Sequence, residues 1–364
     1  MRILAIECEL TTLLGGSERS YFDVLTGLQA KGHHVTLLYS RSGNLLAGYE
    51  QAGVRVVQSD HTLLLRSGRK LKDLSGMLSA ARKVKPLGPF DVIYANFVEA
   101  LPLAFLISKF NGCPVVCHIR VPYFGLSRQI LWAGRIVRAF IVINKKLKPV
   151  FEDVFKAGGK VSVIYNGLTI PQRLPLLHKQ SSNTLRIVYL GRIAPDKGII
   201  ELVGAFASAI RNGVNATLQI TGGYVASHSG DYKSELQQCL STCGVEELIT
   251  VSPAVPDPID YISGFDLFVF PSVWDEPFGR TIAEAILAGT PILARHVGMV
   301  AEIMADNPDF IFDTDQSLAG KIEKFYHGNL VFNVEAARER IIRDFNKTRM
   351  IDEVETKLAE VVSK

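Results

Sequence analysis

Leu168-Thr-Ile-Pro-Gln-Arg-Leu-Pro-Leu-Leu-His-Lys-Gln-Ser-Ser-Asn-Thr184 lies close to the middle of the 364-residue chain. Its two prolines, polar end and lack of any sustained apolar period mark a linker. On both sides of it, short β-branched runs alternate with helical patterns, which is the sequence signature of α/β folds with parallel sheets. Before the linker the strand-like runs fall at residues 2–6, 35–39, 54–57, 91–95, 114–118, 140–143 and 161–165. After it they fall at 185–190, 216–221, 249–252, 266–270, 291–294 and 310–312. The later runs are apolar on both faces, as expected of strands covered by helices on two sides. From residue 334 onward the pattern is wholly helical. The length favours two domains over one, which gives residues 1–167, a linker over 168–184, and residues 185–347. Two such domains joined by a hinge make a cleft lined by the C-terminal ends of strands, where open α/β sheets bind ligands.

With 48% apolar and 21% charged residues the composition is that of a folded soluble protein. Glu7 and Glu9 interrupt the apolar start, so it does not read as a secretory leader, and no apolar run is long enough to span a bilayer. The cysteines, Cys8, Cys113, Cys117, Cys239 and Cys243, are odd in number and include no Cys-x-x-Cys, which points to reduced thiols and a cytoplasmic location. The net charge of +4 hides an asymmetry: residues 1–168 hold 22 Lys/Arg and 11 Asp/Glu, and the remainder 18 and 25. Basic clusters at 66–72, 82–85 and 145–148 suit a peripheral contact with an anionic membrane surface; solvated helix faces are the plainer explanation. They are dispersed and lack interleaved aromatics, so nucleic acid is not expected.

Three loops that follow strands carry candidate chemistry. Gly15-Gly16-Ser-Glu-Arg19 opens the first helix; paired glycines admit a close ligand, and a helix start offers N–H groups to an anion. A simple turn explains it equally, and the Gly-x-Gly-x-x-Gly dinucleotide fingerprint is absent. Gly191-Arg192-Ile-Ala-Pro-Asp-Lys197-Gly198 supplies a guanidinium fork and an ammonium near a helix start, a combination suited to a diphosphate. Glu276-Pro-Phe278-Gly279-Arg280-Thr281-Ile-Ala-Glu284 places one carboxylate on a loop and another on a short helix over 281–288. Each carboxylate can accept hydrogen bonds from vicinal hydroxyls, and the N–H groups of Phe278, Gly279, Arg280 and Thr281 can hold a phosphate between them. Helix capping by surface glutamates is the alternative.

Together, Glu-Pro-Phe-Gly-x4-Glu-Ala, Gly-Arg-x-x-Pro-x-Lys-Gly and Gly-Gly-Ser-Glu-Arg, with Val163-Ile-Tyr-Asn166-Gly167 at the junction, resemble family 4 of the retaining glycosyltransferases, which have the GT-B fold. The resemblance covers nearly the whole chain and implies two Rossmann-like domains facing across a cleft, with residues 348–364 returning to the first. It further implies that Glu276 binds hydroxyls of the transferred sugar, Glu284 the ribose 2′- and 3′-hydroxyls, and Arg192 and Lys197 the departing diphosphate. Gly15 and Gly16 would let the first loop close over the donor, Gly191 would turn the chain toward it, and His118 would contact the donor sugar. Val255, in Ser252-Pro-Ala-Val-Pro256, would lie against the base. One departure is Gly298-Met299-Val-Ala-Glu302, where the family has Gly-Gly-x-x-Glu; the bulkier Met299 either narrows the sugar pocket or packs.

The implied reaction moves a hexose from a nucleotide diphosphate to an acceptor hydroxyl with retained configuration, without a cofactor or metal. UDP-glucose is the first expectation for the donor and GDP-mannose the second. The expected acceptor is a glycan or lipid-linked oligosaccharide of envelope or exopolysaccharide assembly. Rival readings are a GT-B sugar-nucleotide epimerase, an inverting transferase with Glu99 or His118 as base, and a non-catalytic sugar-nucleotide sensor. Asp313-Thr-Asp315 spells a metal motif, yet its place after a strand suits a helix cap.

Overall fold

A computed structural model describes residues 1–11, 16–59, 70–123, 125–176, 183–224 and 229–364. Gly15 and part of the first basic cluster lie outside them. The chain divides into two compact units, Met1–Gly167 with Phe345–Lys364, and Leu168–Asp344.

The first unit runs β1 (Arg2–Ile6), α1 (Gly16–Ala30), β2 (His34–Tyr39), α2 (Leu46–Gln51), β3 (Arg55–Gln58), α3 (Lys70–Val84) and β4 (Val92–Ala95). It continues with α4 (Leu101–Asn111), β5 (Val115–Ile119), α5 (Arg128–Gly134), β6 (Val137–Val142), α6 (Leu147–Val154) and β7 (Val161–Val163). The seven strands are parallel, in the order β3-β2-β1-β4-β5-β6-β7. Apolar runs on both sides of each central strand are what such a sheet requires: Ile3, Leu4, Ala5 and Ile6 of β1 are all fully buried. Right-handed crossovers put α1 and α2 on one face and α3 to α6 on the other.

The second unit runs β8 (Leu185–Leu190), α7 (Ile199–Arg211), β9 (Ala216–Thr221), α8 (Ser229–Cys243), β10 (Ile249–Ser252), α9 (Pro258–Ser263), β11 (Leu267–Phe270) and α10 (Arg280–Ala288). After β12 (Ile292–Arg295) come α11 (Val300–Ile303), β13 (Ile311–Phe312), α12 (Asp315–Tyr326) and α13 (Val334–Asp344). Its six parallel strands follow the order β10-β9-β8-β11-β12-β13. The Asp313–Asp315 segment is a helix start: Thr314 caps α12, its Oγ1 accepting from Ser317 N at 3.2 Å. Asp313 faces His296 and Asp315 pairs with Arg295.

The chain end departs from the expected unbroken helix. Phe345 and Asn346 interrupt it, and α14 (Lys347–Val362) begins anew with Asn346 as its N-cap, the Oδ1 accepting from Arg349 N at 2.8 Å. Met350, Ile351, Val354, Leu358 and Val361 form one apolar stripe of α14, buried in the first unit's core with Val24, Leu28 and Val35. No described helix is long and apolar enough to cross a membrane. Because Leu358 is fully buried there, Leu358→Ala is expected to destabilise the first unit by about 2–5 kcal/mol, read by urea denaturation.

Candidate functional site

In each sheet the chain changes direction between two neighbouring strands, β1 and β4 in the first unit and β8 and β11 in the second. Crossovers leave in opposite directions there, which opens a crevice at the strand C-terminal ends. Both crevices hold a carboxylate met by a nitrogen from the facing loop.

In the second unit that carboxylate is Glu276, after β11, whose Oε2 accepts from Lys197 Nζ, after β8, at 2.6 Å. Lys197 is mostly buried and lies 3.6 Å from Asp196 Oδ2 as well. Asp196 is the post that joins the loops: its carbonyl accepts from Val273 N, Trp274 N and Ser272 Oγ, each at 3.2 Å. Its carboxylate also pairs with the more exposed Arg192 at 3.4 Å. Tyr189 OH donates to Arg192 O at 2.7 Å and so braces the turn through Gly191. An ammonium carries three donors, so Lys197 can keep Glu276 and still meet an anion.

Gly279, with φ +69°, turns the chain into α10, which starts at Arg280 with Thr281 next; Phe278 is buried behind it. Glu284 lies one turn into α10 and is 7% exposed, its Oε1 accepting from Arg280 Nε at 3.0 Å. Burial raises the Glu284 carboxyl above its usual range, and Arg280 pulls it back in part. Gly298 and Met299 clasp the loop from the other side. Gly298 N donates to Asp275 Oδ1 at 2.7 Å and Met299 N to Glu276 O at 3.3 Å. Met299 is 1% exposed, so its side chain packs in the interior. Val255 sits half-buried in the loop after the edge strand β10, two strands from β8.

In the first unit Glu7, after β1, is 2% exposed. Its oxygens accept from Cys8 N and Asn96 Nδ2, both at 2.8 Å. Arg120, after β5, donates from Nε to Asn96 Oδ1 at 2.9 Å and from Nη1 to Asn166 Oδ1. Its Nη2 lies 3.1 Å from His118 Nδ1, which Tyr94 OH also approaches at 2.6 Å. A guanidinium only donates, so Nδ1 accepts, and His118 is the neutral tautomer with its proton on Nε2. That Nε2 is buried and has no partner among the described residues. Burial and Arg120 hold the His118 pKa well below the usual histidine range. Gly16 is exposed at the start of α1, and Glu99 is half-buried in the turn after β4.

Burial, with Glu18 nearby, raises the Glu7 pKa from 4.5 to about 8. Folded Glu7 therefore holds a proton that the unfolded chain has released, and its contribution to stability is full below pH 4.5 and lost as pH rises through about 8. The unfolding free energy from urea denaturation is expected to fall between pH 5 and 8 by an amount on the order of a few kcal/mol. Glu7→Gln, which keeps one acceptor oxygen for its two donors and cannot ionise, should flatten that slope.

Two family models match successive parts of the chain: "Glycosyltransferase Family 4" over residues 14–170 and "Glycosyl transferases group 1" over 178–345. An uncharacterised 42.6 kDa protein from the cps region of Klebsiella pneumoniae is 26% identical, over 91% of this chain and 95% of its own length. Glycogen synthase of Mycobacterium tuberculosis is 25% identical over 88% and 84%. Among solved structures, Anabaena HepE in complex with UDP superposes with a TM-score of 0.82 at 20% identity, covering 99% of this chain and all of that one. The same protein in complex with UDP-glucose gives 0.79 at 20% identity, over 99% and 100%.

Proposed function

The chain belongs to the family-4 type of GT-B glycosyltransferases, and from that premise we propose that it transfers glucose from UDP-glucose, with retained configuration, to a glycan or lipid-linked oligosaccharide. The observation that carries this reading is the Lys197–Glu276 pair at the β8/β11 crevice, on the loop that leads into α10 and its buried Glu284. In this reading Glu284 takes the ribose hydroxyls and Glu276 Oε1 a sugar hydroxyl. Lys197, Arg192 and the N–H groups at the start of α10 receive the diphosphate charge as the glycosidic bond breaks. The leaving-group charge then falls on cations of the chain itself, without a metal.

HepE, whose fold the chain shares, was solved with UDP and with UDP-glucose. Polysaccharide assembly is favoured by the cps-region relative and by the Staphylococcus aureus capsular polysaccharide glycosyltransferase CapM, 30% identical over 45% of this chain and 41% of its own. His118 supports retention: an inverting base needs a lone pair, and the Nε2 of this tautomer carries a proton instead. That N–H suits a hydroxyl of the donor sugar.

A panel of nucleotide sugars tests the reading by thermal shift, by donor hydrolysis and by proton NMR of the product anomer. UDP-glucose is expected to give the largest shift and an α-linked product. A preference for GDP-mannose would reassign the donor, a β-product would end the retaining mechanism, and donor binding without turnover would favour a sensor.

A further inference from the structure

The positive charge of the first unit is concentrated in the stretch of chain that carries α3 to α6. Residues 70–160, which span α3 to α6, hold fifteen Lys/Arg and five Asp/Glu, against a net of +11 for the whole of residues 1–168. Residues 101–150 hold eight basic residues and no acidic one. The opposite face is covered by α1, α2 and α14, and α14 carries four acidic and three basic residues.

A cavity of about 720 Å³ opens in the basic layer between α5, α6 and the starts of β6 and β7. Its apolar lining includes Val137, Val154 and the rings of Phe140 and Phe155, stacked with centres 4.5 Å apart. Trp132 and Leu131 stand exposed on the rim; Trp132 is 53% exposed although it leans on Phe105, with ring centres 4.4 Å apart. Four cations complete the rim. Lys156 is answered by Asp153 at 2.7 Å, whereas Arg128, Arg135 and Lys160 meet no acid among the described residues. Arg135 and Lys160 precede β6 and β7, so they lie at the sheet edge opposite Glu7, Asn96 and Arg120.

An exposed tryptophan and leucine beside an apolar opening, ringed by uncompensated cations, has the composition of an interfacial membrane contact. A hydrated polyanion would match the cations but leave the apolar lining without a use. We propose that this α5–α6 face docks on an anionic phospholipid bilayer, with Trp132 and Leu131 entering the interface and Arg128, Arg135 and Lys160 meeting lipid phosphates. The proposal rests on no assumption about donor or acceptor. The site loops of this unit stay clear of the bilayer.

Of the chain's two tryptophans, Trp274→Phe leaves Trp132 as the sole reporter in the full-length protein. Vesicles of phosphatidylcholine alone and with added phosphatidylglycerol are then compared by co-sedimentation and emission. Binding is expected only to the anionic vesicles, with a blue shift of Trp132 and quenching by brominated lipid. Arg128→Gln and Arg135→Gln should each weaken partitioning about fivefold, with circular dichroism unchanged. No binding, equal binding to neutral vesicles, or capture by dextran sulfate but not by vesicles would overturn the proposal. Binding with Trp132 emission unmoved and both arginine variants unaffected would overturn it too, because another surface would then be responsible.

Discussion

Lys197→Met is expected to lower kcat for glycosyl transfer about 100- to 1000-fold, the usual cost of removing one group that meets developing negative charge in an enclosed site. The side chain holds its nitrogen 2.6 Å from Glu276 and 3.6 Å from Asp196. That position is fixed before any donor arrives, so little reorganisation is needed during the reaction. Under the proposed function, loss of the ammonium would do two things at once: strip the diphosphate of a partner and leave Glu276 without its own. For that reason Glu276→Gln should fall in a similar range. The double variant should be much less impaired than the product of the two single effects, because residues that act as a unit are not additive. Steady-state kinetics of the three variants measure this. A Lys197→Met enzyme that lost only donor affinity, with kcat intact, would make the lysine a ground-state anchor.

The second large effect is expected at a residue that touches no substrate. Gly298 has φ +55°, and a Cβ built on it would stand 1.7 Å from the carbonyl oxygen of Glu276. Neither fault can be relieved by a side-chain rotation, since the obstacle is backbone. Gly298→Ala must therefore push the Glu276 segment away, break the Asp275 and Met299 contacts, or both. The strained backbone alone costs about 1–3 kcal/mol. A displacement near 1 Å at Glu276 costs on the order of 100-fold in rate. A variant that folds but transfers poorly is the expected result, with a lowered melting temperature and a kcat/KM reduced at least as far as that displacement implies. Wild-type activity would show that the loop tolerates the shift and that Glu276 does not need its clasp.

Much of this was legible in the sequence, and the part that was not has a common cause. Each strand-like run corresponds to a strand, because a parallel sheet covered on both faces demands contiguous β-branched residues. The loops at 191–198 and 276–284 stood out because glycine, proline and charge coincide in them. Pairing across the crevice was hidden. Lys197 and Glu276 are 79 residues apart, and they meet because β8 and β11 are neighbours, an adjacency set by strand order and invisible to any local pattern. Glu7, Asn96 and Arg120 went unread for the same reason, although a signal existed. Each is the polar residue that directly follows a strand's last apolar residue, after Ile6, Ala95 and Ile119. The break at Asn346 was also available, as an asparagine ahead of a helical run, but the strong period on both sides masked it.

A crystal structure with UDP bound examines the central claim most directly. The ribose hydroxyls are expected within hydrogen-bond distance of Glu284, and the β-phosphate against Lys197 Nζ and the first N–H groups of α10. The Lys197–Glu276 contact should be kept, or replaced by one through the ligand. A nucleotide bound elsewhere, with Glu284 still held by Arg280 alone and Lys197 away from the phosphates, would contradict the assignment.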